Sequence, residues 1–127
     1  MSPGRFLAAP CGTLVTRVRA VKPGSVPLAV LDIDPAQCPR LTRSGAYHPV
    51  TVPHAAGRRT LVQLLTDSTQ EGPAMRRLLP ELRPGDPVFI GMLGADGRSL
   101  ASRYGGAEPC LEYLLRADGK IEPVTAC

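Results

Sequence analysis

A chain of 127 residues has room for one hydrophobic core, and no apolar run in it approaches the ~20 residues of a membrane span. With 13 Gly and 14 Pro, long helices are excluded and a turn-rich, all-β build is favoured. The net charge of +4 is unevenly placed, with eight basic against two acidic residues before position 64 and seven against nine from there on. There is no Trp and there are only two Phe and three Tyr, so the stacking set of a single-strand reader is missing and nucleic-acid binding is not expected.

The apolar patch Phe6 to Ala9 is too short for a secretory leader, so a cytoplasmic protein is expected, with residues 1–11 as a lead-in to a single domain spanning 1–127. Gly12 to Val21 alternates as a strand, with Leu14, Thr16, Val18 and Ala20 on one face. Lys22-Pro23-Gly24 ends it, because Pro fixes φ and Gly permits positive φ. Val26 to Asp34 reads as a buried strand and 35–45 as a loop. In Ala46 to His54, Pro49 and Pro53 force an edge or irregular strand. Arg59 to Thr66 is another strand. Met75, Leu78, Leu79 and Leu82 recur at helical spacing, so 70–82 is predicted to hold the one short helical turn, bounded by Pro73 and Pro80. A turn at 83–86 leads to a strand from Pro87 to Leu93, and Ala95-Asp96-Gly97 reads as a hairpin-type turn. Residues 99–104, Leu111 to Ala117 and Lys120 to Val124 are expected to finish the sheet, the last two joined through Asp118-Gly119. Seven or eight short strands with frequent turns make a barrel or a sandwich, of which a small Greek-key-type β-barrel is the expected fold.

Cys11, Cys38, Cys110 and Cys127 form no Cys-x-x-Cys, and no His stands at ligand spacing from them. Zinc is therefore not expected, and the thiols are read as reduced and in or near the core. No Ser-His-Asp order, metalloprotease or phosphate-loop motif occurs. Asp32 and Asp34 share a strand face but stand before Pro35, which points to turn formation rather than acid–base work.

From Gly12 onward the order of several weak motifs is more specific than any one of them. GTLVTRVRAVK at 12–22, VLDID at 30–34, Arg40 followed by GAYHPV at 45–50, LLPELRPGDPVFI at 78–90, GADGRSLASRYGG at 94–106 and CLEYLL at 110–115 succeed one another. In that order they resemble the C-terminal β-barrel domain of fold-type III, pyridoxal-phosphate (PLP) dependent amino-acid decarboxylases of the diaminopimelate/ornithine decarboxylase family. The resemblance implies a barrel that packs on a TIM-barrel domain and on a second subunit. In that family the TIM barrel carries the Schiff-base Lys and the phosphate-binding loop. This chain has only Lys22, in a Pro-Gly turn, and Lys120, after a hairpin Gly, so no cofactor is expected on it, with PLP carried by a partner.

The same resemblance implies the candidate site. Arg40 matches the Arg that holds a substrate carboxylate, a task that suits the planar guanidinium. Its Tyr partner is Ser44 here, and His48 stands in the following Tyr-His run, where a structural role is the alternative. The family's Cys-Glu-Ser-x-Asp stretch is represented by Thr66-Asp67-Ser68-Thr69-Gln70, with Thr66 in place of the Cys. A Thr hydroxyl is a poor proton donor without a base beside it. Asp67 or Ser68 also suits a helix N-cap. Tyr104 matches the Tyr that reaches the cofactor. Asp96 replaces a family Tyr and is read as a turn residue.

Thr66, Asp67 and Tyr104 are thus the candidate catalytic residues, and Arg40, Ser44 and His48 the substrate-binding ones, for a small anionic or amino-acid-derived metabolite. Three function classes follow. The chain is the barrel subunit of a split decarboxylase-like lyase, docking on a PLP-bearing TIM-barrel protein or on itself as a homo-oligomer. Or it is a stand-alone barrel that binds, cyclises, isomerises or dehydrates a metabolite in specialised biosynthesis. Or it is a pseudo-enzyme that regulates a decarboxylase.

Overall fold

The computed structural model describes residues 3–43, 45–53, 56–66, 75–102 and 108–124. Eight strands occur among them: β1 (Leu14–Lys22), β2 (Leu28–Leu31), β3 (Val50–Thr51), β4 (Thr60–Thr66), β5 (Met75–Leu79), β6 (Pro87–Ile90), β7 (Tyr113–Leu115) and β8 (Ile121–Pro123). The first six form one nearly closed sheet in the order β3-β6-β1-β2-β4-β5. The all-β barrel read from the sequence is what the chain builds. All neighbours in this sheet are antiparallel except β2 and β4, which run parallel with Leu28 opposite Gln63 and Leu31 opposite Thr66.

Alternation explains the inside. Val18 of β1, Ala29 and Leu31 of β2, Val62 and Leu64 of β4, and Val88 and Ile90 of β6 all point inward and are buried in one cluster. The register of β1 slips between Val18 and Ala20, a bulge at Arg19 that lets this long strand bend from β6 on one side to β2 on the other. The outer face is less polar than a solvated sheet: Val15 is 59% exposed and Leu78 63%, with Leu61 also open.

Several expectations change. The helix expected over 70–82 is absent from its described part, where Met75–Leu79 is strand β5, paired with β4 from Leu64↔Met75 to Thr60↔Leu79. A stretch this short cannot nucleate a helix between prolines, whereas the open edge of β4 offers it a full ladder. Arg76 and Leu78 then face out while Met75, Arg77 and Leu79 turn inward. Helical turns lie elsewhere, as α1 (Gly4–Ala8) with a following 3₁₀ turn (Ala9–Cys11), and as α2 (Pro39–Arg43) inside the expected loop 35–45.

Between Val26 and Asp34 only β2 is regular. Between Ala46 and His54 only β3 is, and His54 lies outside the described residues. The strand from Pro87 ends at Ile90, and no hairpin follows it: residues 97–100 are turn, closed by Ala101 N–H to the Arg98 carbonyl at 3.0 Å. β7 and β8 do not complete the barrel but form a separate hairpin. Its turn spans 116–120, with Gly119 at φ 83° and the Asp118 carboxylate accepting the Lys120 N–H at 3.0 Å.

The segment 4–12 is bonded to the barrel. Gly94 N–H donates to the Ala9 carbonyl and Leu93 N–H to the Gly12 carbonyl, both at 3.0 Å. Among the described residues no helix is long and apolar enough to cross a membrane.

Candidate functional site

The parallel pairing of β2 with β4 sets the geometry. Since Leu31 and Thr66 stand opposite each other at the ends of these strands, the chain leaves both strands on the same rim. From Leu31 it enters the loop that carries Arg40, and from Thr66 it enters 67–70. Thr66 is half-buried at that rim. Asp67, Ser44 and Tyr104 lie outside the described residues.

The loop after β2 winds into α2 through Asp34. Its carboxylate accepts the Ala36 N–H at 2.7 Å, while its own N–H donates to Gln37 Oε1 at 3.1 Å. This local turn is the role expected for Asp34. It delivers Arg40, one residue into α2, with only 9% of its surface exposed. Arg40 Nη1 stands 3.5 Å from Asp96 Oδ2, and the same oxygen accepts a hydrogen bond from Arg5 Nε at 3.1 Å. Asp96 stands in a bend rather than in the hairpin-type turn expected of it, at φ 61°, a left-handed conformation that Asp tolerates better than most residues. It also places a carboxylate between two guanidinium groups, which the sequence reading did not assign.

His48 is 1% exposed. Its Nδ1 lies 3.1 Å from the Gly91 carbonyl, an acceptor only, so Nδ1 carries the proton. Nε2 is buried and has no hydrogen-bond partner among the described residues. Arg77 of β5 donates through Nε and Nη2 to the His48 backbone carbonyl, at 3.1 and 2.9 Å, and lies 4.5 Å from the centre of the Tyr47 ring. The two edges of the open sheet, β5 and the segment entering β3, are thus held together by one guanidinium in place of a backbone ladder. In the sequence Arg76-Arg77 is a pair of adjacent basic residues. An Arg at an inward strand position, between Met75 and Leu79, was the signal available.

Burial pushes the His48 pKa below its ordinary value; the Gly91 carbonyl opposes this, and the charges of Arg40 and Arg77 add to it. A depressed folded-state pKa means that the unfolded chain binds the proton first. Stability is therefore complete above the ordinary His value, near pH 6.5, and falls as the pH drops below it. The loss is read as the slope of stability between pH 6.5 and 5.5, whose limit for one proton is about 1.4 kcal/mol per pH unit. Urea midpoints at the two pH values check this, and His48→Gln should flatten the dependence. An unchanged slope in that variant would place the titrating group elsewhere.

The two lysines do not fit a Schiff base. Lys22 is exposed, and the Lys120 side chain is 74% exposed with its ammonium 3.6 Å from Asp118. A PLP lysine must be desolvated to be a nucleophile near neutral pH. This chain therefore supplies no PLP anchor.

Comparison with known proteins gives the setting. No protein-family model matches the chain. The diaminopimelate decarboxylase of Escherichia coli strain K12 is 30% identical over 136 residues, covering 94% of this chain and 32% of that protein. Protein TabA of Pseudomonas amygdali pv. tabaci is 31% identical over 125 residues, covering 95% and 30%. Among solved structures, a diaminopimelate decarboxylase superposes with a TM-score of 0.83 at 26% identity, over 94% of this chain and 32% of that one. The Helicobacter pylori enzyme complexed with L-lysine gives 0.79 at 26%, over 94% and 30%. The diaminopimelate decarboxylases among these are fold-type III enzymes, and the part matched is their C-terminal barrel domain. The chain spans about a third of the length of the curated relatives it matches.

Proposed function

We propose that this chain is the barrel subunit of a split decarboxylase-like lyase, working in the cytoplasm against a separate TIM-barrel protein that holds PLP. The observation that carries this reading is the match of nearly the whole chain to the barrel part alone of the decarboxylases, combined with lysines that suit no PLP anchor. PLP would supply the electron sink for decarboxylation on the partner. This chain's part is to place groups at the shared rim. Arg40 receives the substrate carboxylate, with Ser44 and His48 shaping the same wall, while Thr66, Asp67 and Tyr104 close the site over the reacting centre. The cross-strand pair Leu61 and Leu78, exposed on the outer side of β4 and β5, is apolar surface that such a partner, or a second copy of this chain, would cover.

Mixing the purified chain with a PLP-bearing TIM barrel that lacks its own barrel domain tests the reading. The expected result is co-elution as one complex and decarboxylation of a basic or diamino acid only when both proteins are present. No association and no gain of activity would overturn it, as would PLP retained by this chain alone. The Arg40–Asp96 ion pair favours a second reading, in which the guanidinium is already neutralised and the chain regulates an intact decarboxylase as a pseudo-enzyme. Association without gained activity is the outcome that second reading expects.

A further inference from the structure

Cys38 and Cys110 are far apart in sequence but face the same place. Cys38 is buried in the core cluster just before α2, and Cys110, half-buried before β7, packs against that cluster. Two hydrogen bonds tie the stretch just before Cys38 to residues that precede Cys110. Gln37 Nε2 donates to the Glu108 carbonyl at 2.6 Å, and Ser102 N–H donates to the Ala36 carbonyl at 2.9 Å. Cys110 lines an open cleft of about 250 Å³ with Arg98, Glu112 and Tyr113, so a small oxidant reaches it, whereas Cys38 is buried.

We propose that Cys38 and Cys110 are a redox-sensitive thiol pair, closed into a disulfide by hydrogen peroxide. The Cys110 thiolate attacks one peroxide oxygen and the O–O bond breaks. The product is a sulfenic acid at Cys110, and the departing hydroxide takes up the proton the thiol released, giving one water. The Cys38 sulfur then attacks the sulfenic sulfur, the S–S bond forms, the S–O bond breaks, and the Cys38 proton leaves with the oxygen as a second water. In sum two thiols lose two protons and two electrons, and one peroxide becomes two waters. Burial above all pushes both thiols up from their ordinary pKa, so closure is slow near neutral pH and speeds up as the pH rises. The cross-link would fix the start of α2, and with it Arg40, to the segment leading into β7. It holds whether or not the chain has a decarboxylase partner.

The test uses the full chain carrying Cys11→Ser and Cys127→Ser, since Cys11 is exposed and would react first. After treatment with peroxide and unfolding in iodoacetamide, neither remaining thiol should be alkylated. Peptide mapping should find the Cys38 peptide joined to the Cys110 peptide within one chain, lighter by two hydrogens, and dithiothreitol should restore both thiols. Because the bond closes a long loop, the melting temperature of the oxidised chain should rise by roughly 5–15 °C. Adding Cys110→Ser, at a position that is only half-buried, should abolish the link and leave Cys38 alkylatable. Both thiols still alkylated after peroxide, a link between two chains, or Cys110 carried to the sulfinic acid with Cys38 untouched would each overturn the proposal.

Discussion

Gly94→Ala is expected to destabilise the protein by roughly 2–4 kcal/mol, among the largest effects of any single methyl group added to this chain. A Cβ at Gly94 would collide with the Ala8 carbonyl oxygen, come within 2.7 Å of the Gly12 nitrogen and lie 3.2 Å from the Ala8 carbonyl carbon. All three are backbone atoms, so no side chain can swing aside. Relief requires the segment 4–12 to lift away, which breaks the bonds from Gly94 to Ala9 and from Leu93 to Gly12. It also withdraws Arg5 from Asp96, leaving Arg40 as the remaining guanidinium beside that carboxylate. Gly24→Ala is the control. Its Cβ would meet only the Val26 carbonyl at 3.5 Å, an ordinary contact, and the change should stay within about 1 kcal/mol of wild type. Urea unfolding of the two variants measures the difference. Equal midpoints would mean that the first dozen residues do not pack on the 93–94 backbone in solution.

How far the fold could be read from the sequence depended on whether local pattern and tertiary pairing agreed. β4 alternates cleanly and pairs where alternation places it, and β1 does so only as far as Val18, where the bulge at Arg19 leaves Ala20 exposed and turns Val21 inward; Asp118-Gly119 marks a hairpin whose Gly does take positive φ. At Met75–Leu79 the apolar residues fit two periods at once. Only the edge of β4, a non-local fact, decides between them. α2 was hidden for the opposite reason: it is one short turn started by the Asp34 side chain within a loop rich in Pro, Arg and Ser. The detachment of β7 and β8 from the barrel also depends on pairings that no window of sequence contains.

The site divides in the same way. Arg40 and His48 were named through their place in a motif order, and both turn out to be buried, the His48 ring against the Gly91 carbonyl just past β6. Their partners were not legible. Asp96 presents itself as a turn residue, and its backbone does bend, but its carboxylate serves Arg5 and Arg40 from distant parts of the chain. Arg77 presents itself as surface charge, yet it closes the seam of the barrel through the His48 carbonyl. Polar contacts of this kind have no periodicity and leave no local trace.

The Arg40–Asp96 pair yields the sharpest test of the proposed substrate role. If Arg40 receives a substrate carboxylate in the assembled enzyme, Arg40→Ala should raise KM by about ten- to a hundredfold, the equivalent of a charge-assisted hydrogen bond of roughly 1.5–3 kcal/mol. Arg40→Lys should recover little, because an ammonium cannot reproduce the two-pronged donor. Thr66→Ala should change turnover far less, since a Thr hydroxyl is a weak proton donor without a base beside it.

Asp96 supplies the discriminating variant. Its carboxylate stands 3.5 Å from Arg40 and competes with any anionic ligand for that guanidinium. Asp96→Asn removes the competing charge while keeping a side chain of the same size that can still accept a hydrogen bond from Arg5. Substrate binding should then tighten by a few-fold, the effect of a partly exposed charge in a screened setting. If Arg40 instead serves only to hold the loop after β6, Asp96→Asn should weaken the assembly as much as Arg40→Ala does, with both variants lowering the melting temperature and neither changing KM selectively. Kinetics and melting curves of the four variants in the reconstituted complex separate the two cases, and wild-type KM in both Arg40 variants with the fold intact would exclude the inherited pocket.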